Sequence, residues 1–300
     1  MYFPAADIEL SPFIPPLIAC TISFFTSMAG VSGAFLLLPF QVSVLGFDSP
    51  AVSSTNHLYN IVAIPSGIYR FIKEGRMLWP LTWLVTIGTL PGVLAGVIIR
   101  INYLPSPRAF KFFVGFVLFY IGVKLCMDIL KNQHSSGRNA IPQERAVAEF
   151  RISSSKLSVR QLQFTFNDIQ YKINTISVIC LSLTVGLIGG VYGIGGGAII
   201  APFFVSVYRL PVHTVAGASL MGTFLTSAVG VLFFQFLATT TMAGTMNIAP
   251  DYRLGLLFGI GGAVGMYLGA RAQRFFPAQI IKAILTAALL FTAFKYIFWG

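Results

Sequence analysis

The sequence GGVYGIGGGAIIAPFF occupies residues 189–204. Its glycines at 190, 193 and 195–197 stand between an apolar run at 180–188 and another at 198–207. Glycine has no Cβ, so the chain can leave the helical path here and a ligand can approach the main-chain amides closely. The sequence therefore predicts a helix break at which a polar ligand would meet main chain rather than side chains.

A weaker copy of this stretch lies 163 residues earlier. Residues 30–40, GVSGAFLLLPF, align without a gap with residues 193–203, GIGGGAIIAPF, and the match continues from 42–44 to 205–207. Repetition at a fixed offset is typical of a duplicated chain. We therefore predict two similar halves, each with one glycine-rich helix break, although the first copy has Ser32 and Ala34 in place of glycines.

The composition indicates the class of protein. Of the 300 residues, 56% are hydrophobic and only 10% are charged, and the mean hydropathy is +0.80. A soluble globule of this size could not bury so much apolar surface. Apolar runs of about 20 residues, long enough to cross roughly 30 Å of hydrocarbon, recur along the chain. We predict an all-α polytopic membrane protein.

The chain divides into four parts by composition. A tail at 1–12 precedes a first membrane repeat at 13–130, a linker at 131–173 and a second membrane repeat at 174–300. The linker is polar and basic, and alternating runs on both sides of Asn167-Asp168 predict a β-hairpin there. Each repeat holds five predicted segments. One segment of each has glycines four residues apart, a spacing that lets a neighbouring helix pack closely: Gly88, Gly92 and Gly96, and Gly261, Gly265 and Gly269.

The basic residues predict the topology, because short cytoplasmic loops are enriched in lysine and arginine. The 70–76 loop, the linker, Arg209 and the 271–282 turn are basic, whereas the N-terminus is not. Five crossings per half place all these basic regions inside and the N-terminus outside. One outside turn does not fit this topology, because it is flanked by the basic residues Arg100, Arg108 and Lys111.

An odd number of crossings makes the two halves an inverted repeat, as in many secondary transporters. The short segments at 34–46 and 198–208 leave an alternative open. If they re-enter the membrane instead of crossing it, each half has an even count and the repeats would be parallel.

The positions of the acidic residues argue against a site that binds a metal cation or relays protons. All nine lie in the tail, the linker or at helix ends, which predicts no buried negative charge to hold a metal or relay protons. No acid follows the glycine stretch before Asp251, as a dinucleotide site would require. Paired carboxylates, zinc motifs and nucleophile–base sets are also missing from the sequence. We therefore expect no enzyme activity, metal or cofactor and no nucleic-acid partner, and we attribute the net charge of +11 to inside loops and lipid headgroups.

Polar residues follow each break at the same offset. Residues 53–60 align with 216–223, so that Asn56 matches Ser219 and Asn60 matches Thr223. A helix that starts at a break presents free N–H groups and its positive dipole end, which bind anions, and neutral side-chain donors can add to them. Close packing alone would also explain the glycines, and bonds to the helix backbone would explain the hydroxyls. The predicted substrate-binding residues are Gly30, Ser32, Gly33, Asn56, His57, Asn60, Gly193, Gly195, Gly196, Gly197, Ser219 and Thr223.

His57 has two interpretations. It could titrate near neutral pH and couple transport to protons. It could instead be a structural histidine with its hydrogen bonds satisfied. The sequence leaves both open.

The paired breaks that end in a proline, the polar stretches behind them, the spaced glycines and the basic linker together resemble the TauE/SafE family of sulfite and organosulfonate exporters. The resemblance covers nearly the whole chain. It implies export of a small sulfur oxyanion, such as sulfite, or of an organosulfonate, such as sulfoacetate, across a bacterial inner membrane by alternating access. An anion channel, a transporter of another small anion or of a neutral metabolite, and assembly as a homodimer all remain open.

Overall fold

The computed structural model describes residues 1–28, 31–73, 75, 77–135, 152–158, 160–166, 169–208, 210, 212–240, 246–272 and 278–299. Most of these residues are helical. The helices are α1 (Ile14–Met28), α2 (Ala34–Ser43), α3 (Ala51–Ala63), α4 (Pro65–Lys73), α5 (Trp79–Asn102), α6 (Pro107–Ser135), α7 (Thr175–Tyr192), α8 (Gly196–Ser206), α9 (Val212–Ala238), α10 (Tyr252–Ala272) and α11 (Ala278–Trp299). The strands are β1 (Tyr2–Phe3), β2 (Ile8–Glu9), β3 (Ile152–Leu157), β4 (Gln161–Phe166) and β5 (Ile169–Asn174).

Five helical spans in the described part of the chain are long and apolar enough to cross a membrane. They are Trp79–Asn102, Pro107–Met127, Thr175–Tyr192, Thr214–Ala238 and Tyr252–Ala272. The prediction of a polytopic membrane protein is confirmed. α2 and α8 have 10 and 11 residues. At 1.5 Å per residue each is about 15 Å long, half of what a full crossing needs.

The chain after Pro50 forms two consecutive helices, α3 and α4. α3 ends at Ala63 and α4 begins at Pro65. Proline has no N–H and its fixed φ suits the first position of a helix, so the chain restarts a helix at Pro65 instead of continuing one.

The spaced glycines pack two pairs of helices backbone to backbone, as the sequence predicted. A Cβ built on Gly92 of α5 would overlap the Leu183 carbonyl of α7 and lie 2.7 Å from Leu187 N. In the same way, a Cβ built on Gly265 of α10 would overlap the Cys20 carbonyl of α1. Each pair joins a helix of one half to a helix of the other half.

The order of these contacts fixes the direction of the helices. α5 is parallel to α7, because Gly88, Gly92 and Gly96 meet residues of α7 in rising order. α1, α3 and α10 are parallel to one another on the same grounds. The contacts are Gly261 with Pro16, Gly265 with Cys20, Gly269 with Phe24, Gly255 with Leu58 and Gly259 with Val62.

The glycine contacts also give the directions of α5, α6, α9 and α11 relative to their neighbours. α9 is antiparallel to α3, since Gly230 contacts His57 on α3 whereas Gly217 contacts Phe71 on α4. α6 is antiparallel to α11, since Gly115 meets Tyr296 and Gly122 meets Leu290. α5 follows the direction of α9: Gly222 meets Val85 near the start of α5, and Phe234 packs with Val93 and Val97 further along it.

The two short helices double back inside the bundle. α8 begins beside α7 rather than beyond its end, because a Cβ built on Gly189 would lie 2.9 Å from Gly196 N. Beyond the end of α8, Tyr208 hydrogen-bonds Ser177 in the first turn of α7. α2 runs antiparallel to α3, because Ser32 before its start bonds Asn60 and Ala34 at its start bonds Asn56. The helix breaks therefore lie in the interior of the bundle and not at its ends.

This geometry bears on the alternative of parallel repeats. That alternative assumed that a re-entrant α2 changes an odd number of crossings into an even one. In the structure α2 runs antiparallel to α1 and α3, and α8 runs antiparallel to α7. A re-entrant short helix therefore leaves the direction of the later helices unchanged.

The linker carries a small antiparallel sheet of order β3-β4-β5. β4 and β5 pair from Gln161 with Asn174 to Phe166 with Ile169. Asn167 and Asp168, between these strands, lie outside the described residues. The Phe164 and Tyr171 rings stack across the pair with their centroids 5.2 Å apart. β3 adds a third strand that the sequence did not predict.

Candidate functional site

The first break places Ser32 and Gly33 at the start of α2. Ser32 Oγ donates to Asn60 Oδ1 at 2.8 Å and accepts a hydrogen bond from Ala34 N at 3.3 Å. Gly33 packs so closely on α1 and α3 that a Cβ would overlap Tyr59 Oη and lie 2.7 Å from Ser23 Oγ. Gly30 lies outside the described residues, so its predicted role stays a prediction.

The second break uses the conformational freedom of two glycines. Gly193 and Gly195 have φ angles of 82° and 76°, in the left-handed region that other residues avoid. α8 begins immediately after Gly195, and Gly196 N donates to Thr226 Oγ1 at 3.3 Å. Gly197 lies against α9, where a Cβ would be 2.6 Å from Thr223 N. The sequence therefore placed the break correctly.

Asn56 and Asn60 of α3 bring the two breaks together. Asn56 Nδ2 donates to the Ala34 carbonyl of the first break at 3.3 Å and to the Gly193 carbonyl of the second at 3.0 Å. Asn60 Oδ1 accepts from Ser32, and its Nδ2 donates to the Ile194 carbonyl at 3.0 Å. Both side chains are fully buried. One face of α3 thus holds both breaks in place.

The duplication seen in the sequence also appears in the hydrogen bonds. Ser219, which matches Asn56, donates to the Gly197 carbonyl, and Gly197 matches Ala34 in the aligned repeats. Thr223 donates only to the Ser219 carbonyl of its own helix, at 2.8 Å. The described site residues from both halves therefore converge on one place.

The side-chain hydrogen-bond donors at the two breaks already bond other groups of the protein. Asn56, Asn60 and Ser219 all donate to main-chain carbonyls of the breaks. The sequence predicted these groups as donors to a substrate. A ligand that uses them has to replace bonds to the protein.

His57 lies beside the two asparagines and is fully buried. Its Nδ1 is 3.2 Å from Ser227 Oγ, and Ser227 Oγ also accepts from Asn60 Nδ2 at 3.2 Å. In the described part of the chain, His57 Nε2 has no hydrogen-bond partner. His57 is therefore joined to the break through a single hydroxyl group.

Sequence reasoning missed three side chains of this network. Gln41 of α2 is fully buried, and its Nε2 lies 3.4 Å from Asn56 Oδ1. Thr226 and Ser227 of α9 contact Gly196 and Asn60 as described above. Polar residues in an otherwise apolar membrane helix commonly face a functional interior, and in α2 only Gln41 and the last residue, Ser43, are polar. That signal could have identified it.

One acidic residue departs from the prediction of no buried negative charge. Asp251 is 3% exposed. Its carboxylate caps α10 by accepting from Leu254 N at 3.0 Å and holds the N-terminal hairpin by accepting from Ala5 N at 3.1 Å. Within the described residues, His, Cys, Asp and Glu form no group of three that could hold a metal ion.

The electrostatics of the site come from the two short helices. α2 and α8 both start at the site and run away from it, so that their positive dipole ends converge near Asn56 and Asn60. The side chains that bond the two breaks are uncharged: Ser32, Asn56, Asn60, Ser219 and Thr226. A small anion is the ligand that such an arrangement stabilises.

Broken helices that meet inside a bundle of membrane-spanning helices are typical of membrane transporters. The comparison with known proteins agrees. The chain belongs to the family described as "Sulfite exporter TauE/SafE", whose model matches residues 16–296. The family description and the names of the similar proteins are those of membrane transporters.

The similar curated proteins cover part of the chain. It is 30% identical over 114 residues to "Probable membrane transporter protein YdhB" of Bacillus subtilis, a match that spans 38% of this chain and 42% of that protein. It is 30% identical over 116 residues to "Probable membrane transporter protein MamO" of Magnetospirillum gryphiswaldense, across 38% of this chain and 18% of that protein. No solved structure matches. The matches thus extend over less than half of either relative.

Proposed function

We propose that this protein is a secondary transporter that exports a small sulfur-containing anion, sulfite or an organosulfonate such as sulfoacetate, across a bacterial inner membrane. The family to which the chain belongs supports the substrate class. The site supports an anion, because two helix starts and neutral donors meet there without a buried carboxylate among the described site residues.

The observation that carries the proposal is the double hydrogen bond of Asn56. Its amide holds the Ala34 carbonyl of one break and the Gly193 carbonyl of the other. A substrate anion at this point would sit between the starts of α2 and α8, and would interact with both halves at once. Binding would thereby couple the substrate to the relative position of the halves.

Alternating access follows from an inverted repeat in this proposal. The opposite directions of α1 and α7, of α3 and α9, and of α6 and α11 support such a repeat. In an inverted repeat, each half can adopt the conformation that the other half had before. The access path to the substrate site then opens to the opposite side of the membrane. His57, next to Asn56, is the proposed group for any coupling to protons.

Counterflow in liposomes tests the proposal. Vesicles loaded with unlabelled sulfite or sulfoacetate should take up the radiolabelled anion transiently against its gradient, because a carrier exchanges one molecule for another. Empty vesicles and a Gly197→Leu variant are the controls. The leucine would overlap α9 and displace the start of α8.

Two outcomes would contradict the proposal. Uptake that merely equilibrates, without a transient excess of label, would indicate a channel. Absence of uptake for every sulfur anion, by a protein that remains monodisperse in detergent, would indicate another substrate.

A further inference from the structure

Arg100 is a buried cation that the site described above does not use. It lies in the last turn of α5, where the sequence predicted a charge flanking an outside turn, yet its side chain is fully buried. A buried arginine is not a loop charge, so it no longer conflicts with the topology drawn from the basic loops. Its burial needs another explanation.

In the described part of the chain, the guanidinium group contacts neutral groups. Nε donates to Ser53 Oγ at 3.3 Å, Nη1 donates to the Leu104 carbonyl, and Cζ lies 3.8 Å above the centre of the Phe110 ring. Nη2 has no hydrogen-bond partner among the described residues. None of the contacting groups is a carboxylate. A charge taken out of water without a counterion is strongly unfavourable, so such residues commonly mark ligand pathways.

The buried acid of the described residues does not neutralise Arg100. Asp251 directs its two carboxylate oxygens to Leu254 N and Ala5 N. Arg100 therefore keeps its positive charge, and among the described residues its Nη2 group has no acceptor.

Arg100 is connected to the second break through α3. Ser53 Oγ, which accepts from Arg100, donates to the Val191 carbonyl at 3.2 Å. The backbone of Ser53 also lies against Gly193, where a Cβ would be 2.5 Å from Ser53 O. Asn56, which binds the Gly193 carbonyl, follows Ser53 by about one helical turn. The cation is thus adjacent to the candidate site, on the side where α5 ends.

We propose that Arg100 binds the oxyanion group of the transported substrate through Nη2, as a second anion-binding position between the helix breaks and the end of the bundle that contains Leu104. The proposal rests on the proposed function, since it assumes that an anion passes through the break. The rigid, planar fork of arginine matches the oxygens of a sulfite or sulfonate group. The bonds to Ser53 and Leu104 hold this fork in a fixed orientation.

Isothermal titration calorimetry of the purified protein with sulfite and with sulfoacetate tests the role of Arg100. Arg100→Gln should weaken binding about 10- to 100-fold, because a hydrogen bond to a charged ligand is lost. Arg108→Gln is the matched control. Arg108 is exposed, lies at the same end of the bundle and should bind like the wild type.

Each result separates the two proposals. If the wild type binds an anion and Arg100→Gln binds it equally well while folded, Arg100 is structural and only this inference fails. If the wild type binds neither anion, the proposed function fails and the inference fails with it. If the Arg100→Gln variant does not fold, the same titration is made with the Arg100→Lys variant. It keeps the charge without the fork and should weaken binding severalfold, and an unchanged Kd would overturn the proposal.

Discussion

The asparagines of α3 show how much one side chain can do inside a membrane protein. In hydrocarbon no water can bond a main-chain carbonyl, so a polar side chain is the donor available to it there. Asn56 donates to two carbonyls at the breaks, one from each half. Ser219, its counterpart, has one donor and supports one carbonyl. The different side chains at these matching positions make the two halves unequal at the site.

Asn56→Ala should destabilise the protein more than Ser219→Ala. The first substitution removes two hydrogen bonds to buried carbonyls and the second removes one, at about 0.5 to 1.5 kcal/mol for each bond. Thermal unfolding of the purified variants in detergent measures the difference. Titration with sulfite should also show a weaker Kd for both variants.

The control for this comparison is Thr184→Ala. Thr184 is exposed, and its hydroxyl bonds only the Cys180 carbonyl of its own helix, so its loss should change stability by less than about 0.5 kcal/mol. Equal stability of Asn56→Ala and Thr184→Ala would show that Asn56 does not hold the breaks.

At the scale of helices, glycine has two separate roles in this chain. In α5, α7 and α10 it allows backbones to approach, and the helix remains regular. At Gly193 and Gly195 it allows a conformation that ends one helix and starts the next. Both roles were visible in the sequence, because spacing by four residues indicates a packing face and clustering indicates a break.

Gly92→Ala should destabilise the α5–α7 pair, although alanine favours a helix by about 1 kcal/mol over glycine. The added Cβ would overlap the Leu183 carbonyl, which belongs to a backbone and cannot move aside easily. We expect a lower unfolding temperature in detergent.

Gly217→Ala is the matched control, because the nearest atoms to its Cβ are in the side chains of Met77 and Phe71, at 3.3 Å. That variant should keep the stability of the wild type or gain slightly. A Gly92→Ala protein as stable as Gly217→Ala would contradict the close packing.

At the scale of the molecule, the two halves are interlocked rather than placed side by side. α1 packs on α10 and α7 packs on α5, so each half supplies a helix to the other. The site lies where the halves meet, and relative motion of the halves would change it directly. The proposed alternating access depends on this arrangement.

The topology can be tested with single cysteines at Ser158 and Thr239, both exposed. In a variant whose Cys20, Cys126 and Cys180 are replaced by alanine, an impermeant thiol reagent added outside cells should label Thr239→Cys. It should label Ser158→Cys only after the cells are opened. The linker follows the end of α6, whereas Thr239 follows the end of α9, and these ends lie on opposite sides of the bundle. Labelling of both positions from outside would contradict the proposed inverted repeat.

Local sequence by itself determined the membrane class, the two similar halves, the positions of both breaks and the polar residues behind them. Each of these depends on composition, spacing or self-similarity, which neighbouring residues carry whatever the rest of the chain does. The tertiary structure alone decided that α2 and α8 double back, that Arg100 and Asp251 are buried, and which carbonyls the asparagines bind. These features arise from contacts such as that of Asn56 with Gly193, which lie 137 residues apart in the chain. Burial and pairing are properties of the packed helices, and no short stretch of sequence specifies them.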